Sequence, residues 1–372
     1  MMKIKTFFLK DKVFLIAFIV AVISLLFNPN FKGYEHYINY KVLIVMFVLM
    51  LSVAGMTQQN LFTMIAVKMV KHLKDLRTIA LVIVVTTFFL GMLLTNDAVL
   101  LTLVPFTLFV TSKINRHKEA LIIVILQTLA ANLGSALTPM GDPQNIYLYT
   151  NFDISFWAFL SKTAVITITG FILIVISVLI IFKQDDVFPI IEEHQLKDFR
   201  IFLYFLVFFL GILTVLDLLS EWIVLPIVLM LGVVFFRPLF KKVDYHLLLT
   251  FAMFFIFTGN IGQLAVVNQF FNHILTSSSN VFFTGVLVSQ FISNVPATVL
   301  LSAFTKDIYL LDLLQGVNVG SMGTIIGSLA SLITFKFVLK LYPERFKEYL
   351  LKYTVISLCF MGVIMGVIFL LN

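Results

Sequence analysis

The sequence predicts an all-α polytopic membrane protein made of two inverted-topology repeats, each with a re-entrant helical hairpin and a broken transmembrane helix. Three observations predict it. Hydrophobic residues make up 60% of the 372 and charged residues only 12%, a balance that a water-soluble surface does not have. The 26 Lys and Arg lie in short clusters between apolar runs, as topology signals do and as a nucleic-acid-binding stripe does not. Finally, "NLGSALTPMGD" at 132–142 aligns without a gap on "NVGSMGTIIGS" at 318–328, half a chain later, which is the mark of an internal repeat.

The elements follow in order. Lys3, Lys5, Lys10 and Lys12 precede "VFLIAFIVAVISLLF". That run is too long for a secretory signal and no small-residue cleavage site follows, so an uncleaved first helix with a cytoplasmic amino terminus is expected. Further spans are expected near 41–56, 118–148, 156–182, 200–217, 222–236, 245–258, 313–335 and 350–371, after the first at 13–28. Two apolar stretches, 78–110 and 280–304, do not fit as single spans. The first has Lys68, Lys71, Lys74 and Arg77 before it and Lys113, Arg116 and Lys118 after it, so both ends should face the cytoplasm. The second follows a region, 259–279, without Lys or Arg, so it should enter and leave from outside. An arm such as 280–292 reaches about 20 Å against a hydrocarbon core of ~30 Å, which predicts hairpins that turn near mid-depth. All Lys and Arg then lie inside except Lys32, Lys41, Lys162 and Lys306. The carboxyl terminus is expected outside, with Lys162 snorkelling outward and Trp157 and Trp222 in the aromatic belts.

Two repeats are expected, 1–182 with hairpin 78–110 and broken helix 118–150, and 200–372 with hairpin 280–304 and broken helix 313–335. The charged stretch 183–199, with Asp185, Asp186, Glu192, Glu193 and Asp198, is the expected cytoplasmic linker. Identities run Asn132/Asn318, Gly134/Gly320, Ser135/Ser321, Thr138/Thr324 and Gly141/Gly327, and the tip Thr95-Asn96 corresponds to Ser293-Asn294. The less apolar stretches 57–76 and 260–279 before the hairpins are expected at the membrane interface.

A Gly- and Pro-bearing break inside a span leaves backbone groups without partners unless it lines a polar cavity. Two hairpin tips and two broken helices therefore converge on a binding site, where half-helix amino termini face an anion and unwound carbonyls face a cation. Asp97 and Asp142 are the acidic residues deep in apolar segments. Each costs roughly 2.5–3.5 kcal/mol at a helix centre if ionised, which points to a sodium ligand or proton carrier. Both could also cap the half-helices beginning at Ala98 and Pro143. An intramembrane aspartyl protease is the enzyme alternative, but "TPMGDPQN" lacks the second glycine of a Gly-x-Gly-Asp pattern. No enzyme activity is expected. The single cysteine, Cys359, leaves no disulfide framework or thiolate cluster within the chain.

The tips "TND" and "SNV", with "ANLGSALTPMGDPQN" and "NVGSMGTIIGS", make the chain resemble the ion transporter superfamily: sodium-coupled di- and tricarboxylate carriers, arsenite permeases and sodium/proton antiporters. "NLGSALTPMGDPQNIYLY" is most similar to small bacterial anion or citrate-type permeases. The resemblance implies a secondary active transporter of the cytoplasmic membrane, a small anion such as citrate as solute, and elevator-type movement in a homodimer. It also implies sodium or protons as coupling ion, no other cofactor, and no nucleic-acid partner. By resemblance, Asn96 and Asn294 touch ion and solute, Thr95 and Ser293 hold carboxylate oxygens, and carbonyls near 132–142 and 318–327 complete two cation sites. The candidate solute contacts are thus Thr95, Asn96, Asp97, Thr138, Ser293, Asn294 and Thr324. The candidate coupling-ion residues are Asn96, Asp97, Asn132, Gly134, Gly141, Asp142, Asn145, Asn294, Asn318 and Gly320. The chain departs from the dicarboxylate pattern at the third tip position, Asp97 and Val295, and at "GDPQN". An Asn-Asp tip is closer to the arsenite and sodium/proton branches, which supply the alternative function.

Overall fold

The computed structural model describes residues 12–27, 34–187 and 199–371. Lys3, Lys5, Lys10, Lys32 and the linker residues Glu192, Glu193 and Asp198 lie outside the described residues. Among the described residues the chain is helical with no strand. The elements are α1 (Lys12–Leu25), α2 (Tyr34–Tyr37), α3 (Tyr40–Gln58), α4 (Leu61–Val70), α5 (Leu76–Leu93), α6 (Asn96–Lys113), α7 (His117–Ser135), α8 (Pro143–Asn151) and α9 (Phe156–Ile181). They continue with α10 (Arg200–Val215), α11 (Glu221–Phe235), α12 (Tyr245–Ile261), α13 (Ala265–Ile274), α14 (Ser278–Ile292), α15 (Asn294–Ser302), α16 (Leu310–Val319), α17 (Leu329–Leu341) and α18 (Phe346–Leu371). Helices α3, α5, α7, α9 and α18 are long and apolar enough to cross a membrane. From α3 to α9 and from α12 to α18 the same order recurs: a long helix, a short one, a hairpin, a broken helix and a final helix of 26 residues.

Burial separates the roles of these helices. On α9 the residues Phe159, Thr163, Ile166, Gly170, Ile174 and Val178 form one buried stripe, spaced at one helical turn. Ile168, Ile172, Ile176 and Ile180 on its other side are exposed, which suits contact with lipid. Helix α7 instead is buried from Ala120 to Ser135 except at Ile122, and such a helix belongs in the interior of a bundle. The first hairpin, α5–α6, packs along it.

The helix pair α5–α6 turns at residues 94–95 and the pair α14–α15 at Ser293, and the arms of the first pair differ in length from those expected. Helices α5 and α6 have 18 residues each, about 27 Å rather than the 20 Å expected of a short arm. The helix limits shift because Asp75 caps α5 ahead of the apolar run, and because α6 continues through Pro105 to Lys113. The second hairpin has arms of 15 and 9 residues, about 22 and 14 Å, which is short of a ~30 Å core. The breaks are residues 136–142 between α7 and α8, and 320–328 between α16 and α17. Helix α13, in the stretch expected at the interface, bends 100° away from α12 and buries none of its residues.

The base of the first hairpin is tied to the start of the linker. Leu76 N–H donates to Asp185 O at 3.1 Å, Val187 N–H to Lys74 O at 2.9 Å, and Arg116 pairs with Asp185 at 3.1 Å. Asp75 accepts from the Arg77 and Thr78 amides at 3.2 and 2.8 Å and from the Thr78 hydroxyl. Burial opposes its ionisation, but these bonds outweigh that effect and hold its carboxyl below the ordinary value. The stabilisation is therefore present above the unfolded carboxylate pKa and lost as pH falls through the lower folded one. Asp75→Ala is expected to cost about 1 kcal/mol at neutral pH, with the deficit vanishing in strong acid; an equal deficit at both pH values in thermal unfolding would refute this role.

Lys162 differs from its expected course. Rather than extending freely to the surface, its Nζ pairs with Asp312 at 2.8 Å, and its carbonyl accepts from Gln315 Nε2 at 2.7 Å. Asp312 opens α16, so the lysine joins α9 to the second broken helix. Trp157 and Trp222 stand exposed near the starts of α9 and α11.

Candidate functional site

A helix leaves its first N–H groups without internal acceptors, so a hairpin tip inside a bundle must find carbonyls elsewhere. The two broken turns provide them. Asn96 N–H donates to Gly141 O at 3.1 Å, and Asn294 N–H to Gly327 O at 2.9 Å. The turns return a bond to the hairpins: Thr138 Oγ1 donates to Met92 O at 2.5 Å and Thr324 Oγ1 to Gln290 O at 3.0 Å. Aligned residues thus make matching contacts in both halves.

Side chains then join the halves. Asn96 Nδ2 donates to Asp142 Oδ2 at 2.8 Å and to Asn132 Oδ1 at 3.0 Å. Asn132 Oδ1 also accepts from Ser328 Oγ at 3.3 Å, while its Nδ2 donates to Ser321 O at 3.3 Å. Asn318 Nδ2 donates to Asn145 Oδ1 at 2.8 Å, and Gln144 Nε2 to Asn318 Oδ1 at 3.4 Å. Asn145 Nδ2 reaches Ser135 O and Thr138 O at 3.1 and 3.3 Å. Asn96, Asn132, Asp142, Asn145, Asn294 and Asn318 are all buried, and a buried amide network of this kind fixes one arrangement of its members.

The two carboxylates part company here. Asp142 occupies the N-cap position of α8 but makes no capping bond; its Oδ2 accepts from Asn96 and, at 3.4 Å, from Ser135. Helix α6 begins at Asn96 with Thr95 as its N-cap, which places Asp97 inside the first turn. The capping reading of both aspartates is therefore corrected: the tip's backbone geometry starts the helix two residues earlier, at Asn96 rather than Ala98, and the Asn96 amide donates to the Asp142 oxygen. Among the described residues Asp97 Oδ1 is buried with no hydrogen-bond partner, and Asp97 lines a cavity of about 460 Å³ together with Thr95, Gln58, Pro143, Lys242 and Asp244. The Asp142 and Asp244 charges both act on Asp97.

The remaining candidates sit as follows. The hydroxyls of Thr138 and Thr324 are engaged by hairpin carbonyls. Gly134 and Gly320 face the hairpin arms at Phe88 and at Ser289 and Val286. Asn294 Oδ1 accepts from Val295 N–H at 3.0 Å, and its Nδ2 is buried without a partner. Ser293 and Asn294 are not among the lining residues of the cavity that holds Thr95 and Asp97. Gln144, Ser328 and Gln290 were not singled out from the sequence, and Ser135 and Ser321 entered only as an identity of the repeat. Ser328 could have been found, since it aligns with Asp142. Lys242 and Asp244 carried no signal beyond a charged loop.

Ser293 holds φ 73° and ψ 154°, a region that costs a residue other than glycine about 1–3 kcal/mol and that recurs at ligand clamps. Ser293→Gly is expected to raise the unfolding free energy by about 1 kcal/mol while weakening transport. A loss of stability in the purified variant would show that the tip is not strained.

Comparisons with known proteins identify the family. The family model described as Citrate transporter matches residues 7–313. An uncharacterized transporter of Methanocaldococcus jannaschii is 33% identical over 337 residues, 90% of this chain and 90% of that protein. The inner membrane protein YbiR of Escherichia coli is 29% identical over 334 residues, 88% of this chain and 87% of its own length. A Dictyostelium discoideum protein named as transporter arsB is 27% identical over 148 residues, 40% of this chain and 26% of that protein. The chain is a multi-pass membrane transporter, and it belongs to the citrate transporter family.

Proposed function

We propose that the protein is a secondary active transporter that moves a small anion, citrate or another carboxylate, across the cytoplasmic membrane, driven by sodium or protons. The observation that carries this reading is the buried cluster of Asn96, Asn132, Asp142, Asn145 and Asn318, which joins a hairpin tip to both broken helices. Buried amides and one carboxylate at the ends of half-helices suit a small cation, and the positive ends of the half-helix dipoles suit an anion. The recurring order of elements supports two inverted repeats, 1–182 and 200–372. The distribution of Lys and Arg supports a cytoplasmic amino terminus and an outer carboxyl terminus. Elevator-type movement of the hairpins, a homodimer, and the absence of any cofactor besides the coupling ion complete the proposal. The lining of the cavity by Lys242 and Asp244, next to the basic loop 237–242, supports an opening toward the cytoplasm.

A second reading is favoured by Asp97. Two carboxylates and one lysine line the cavity, and an ionised Asp97 repels a polyanion. A cation/proton antiporter or arsenite efflux permease would use this carboxylate as carrier. The shared chemistry of both readings is a coupling cation at the tip.

Purified protein in sealed proteoliposomes, with labelled citrate outside and a pH reporter inside, separates the readings under imposed sodium and proton gradients. Gradient-driven citrate accumulation is the expected result. Sodium/proton exchange without citrate uptake would establish the antiporter reading in its place. Asp97→Asn is expected to reduce coupled transport at least about tenfold, the effect of one lost charge-assisted contact, with an unchanged elution profile. Wild-type coupling by this variant would remove Asp97 from the mechanism.

A further inference from the structure

The two broken turns align in sequence but are closed by different chemistry. Ser328 stands where the first turn carries Asp142, and Gln290 stands where the first hairpin carries Met92, each four residues before its tip asparagine. Both Met92 and Gln290 offer a backbone carbonyl to the turn threonine. Gln290 adds its side chain. Its Nε2 donates to Gly320 O at 2.8 Å, Met322 O at 2.9 Å and Val286 O at 3.2 Å, and its Oε1 accepts from Thr324 N–H at 2.8 Å. Gly323 has φ +98°, and a Cβ there would stand 2.4 Å from Gln290 Oε1. The turn is folded around this amide.

Carbonyl oxygens that converge on one point are the ligand set of a small hard cation. A side-chain amide nitrogen, with two N–H groups and no charge, satisfies the same oxygens without one. In the first turn the Asn145 amide closes the Ser135 and Thr138 carbonyls, yet the buried Asp142 carboxylate remains, and a buried charge calls for a partner of opposite sign. Among the described residues no charged side chain takes part in the hydrogen bonds of the second turn.

We propose that the Gln290 amide stands in the second turn in place of a coupling cation, so that a single cation, held beside Asp142, moves in each cycle. This rests on the cation-coupled transport reading and departs from the two cation sites that the superfamily resemblance implies. It makes coupling an asymmetric property of an otherwise repeated architecture.

Hydrogen exchange of the full chain, followed by mass spectrometry on peptides covering 132–142 and 318–328, tests it in sodium against choline. In the wild type, sodium is expected to slow exchange at 132–142 and to leave 318–328 unchanged. Gln290→Ala opens the carbonyl cluster, and Gln290→Glu keeps its shape while adding a charge. In either variant 318–328 should become sodium-dependent, slowing about tenfold when sodium stands at ten times its Kd. Sodium protection of 318–328 in the wild type would overturn the proposal, and so would the lack of any sodium response there in both variants. If 132–142 ignores sodium and citrate is not taken up, the transport reading fails, while the variants' response at 318–328 still decides the role of Gln290.

Discussion

Asp142→Asn should abolish ion-driven accumulation and leave the protein folded. Asp142 is 3% exposed and supplies the formal charge in a cluster whose other hydrogen-bonding members, Asn96, Asn132, Ser135, Asn145 and Asn318, are neutral. An asparagine has the same shape and can still accept one bond from Asn96. It loses the charge-assisted part of that bond, and a bound cation loses its counter-charge. The first loss alone is about 1 kcal/mol, the difference between a hydrogen bond to a charged group and a neutral one. With the Coulomb attraction of a bound cation at an effective dielectric near 20, a further ~2 kcal/mol is a conservative figure. The second loss reduces cation affinity about 30-fold or more. Stability should hold or rise, because removing a buried charge also removes its desolvation cost. Uptake measured against sodium concentration and against pH, beside thermal unfolding, reads both effects. An unchanged half-saturation for both ions would take Asp142 out of the coupling site.

Asn96 and Asp97 show what the sequence makes legible and what it hides. Their position at a break in an apolar run marked them as functional, and the repeat marked Asn96 a second time through Asn294. Successive residues on a helix point about 100° apart, so the decision that Asn96 turns toward the broken helix and Asp97 toward the cavity depended on where α6 begins. That start is two residues before the one a capping argument chooses, and it turns the two neighbours in different directions. The broken helices were readable because Gly and Asn interrupt the apolar run at corresponding places. The lengths of the α5 and α6 arms were not, since a cap at Asp75 and a tolerated Pro105 extend the helices into polar sequence. The contacts between halves, such as Asn132 with Ser321 and Ser328, involve residues about half a chain apart. No local pattern encodes them; only the alignment of the two motifs hints that they meet. Lys242 and Asp244 were hidden for a different reason, because charge in a loop next to a span is expected on topological grounds alone.

Gly134→Ala should destabilise the protein and stop transport together, through one displacement. Helix α7 and hairpin arm α5 approach so closely at this point that a Cβ on Gly134 would lie 2.1 Å from Phe88 O. The obstacle is backbone in the middle of a helix, so no side-chain rotation relieves it. Restoring an ordinary contact of more than 3 Å requires α5 to move by about 1 Å, and overpacking of this kind costs about 1–3 kcal/mol. The same arm leads to the tip, about two turns further on. Its bonds from Asn96 to Gly141 and Asp142, at 3.1 and 2.8 Å, would stretch past the range in which a hydrogen bond retains most of its strength. A glycine elsewhere supplies the control: a Cβ on Gly362 in α18 meets nothing within 4 Å, so Gly362→Ala should leave transport intact and gain slightly in helix propensity. Thermal unfolding and uptake of the two variants in parallel test the argument. If Gly134→Ala transports like the wild type, the spacing of α5 and α7 does not set the tip geometry. If it unfolds early yet transports normally when folded, packing and site geometry are separable, and the rigid link between hairpin and broken helix is lost as an explanation of the site.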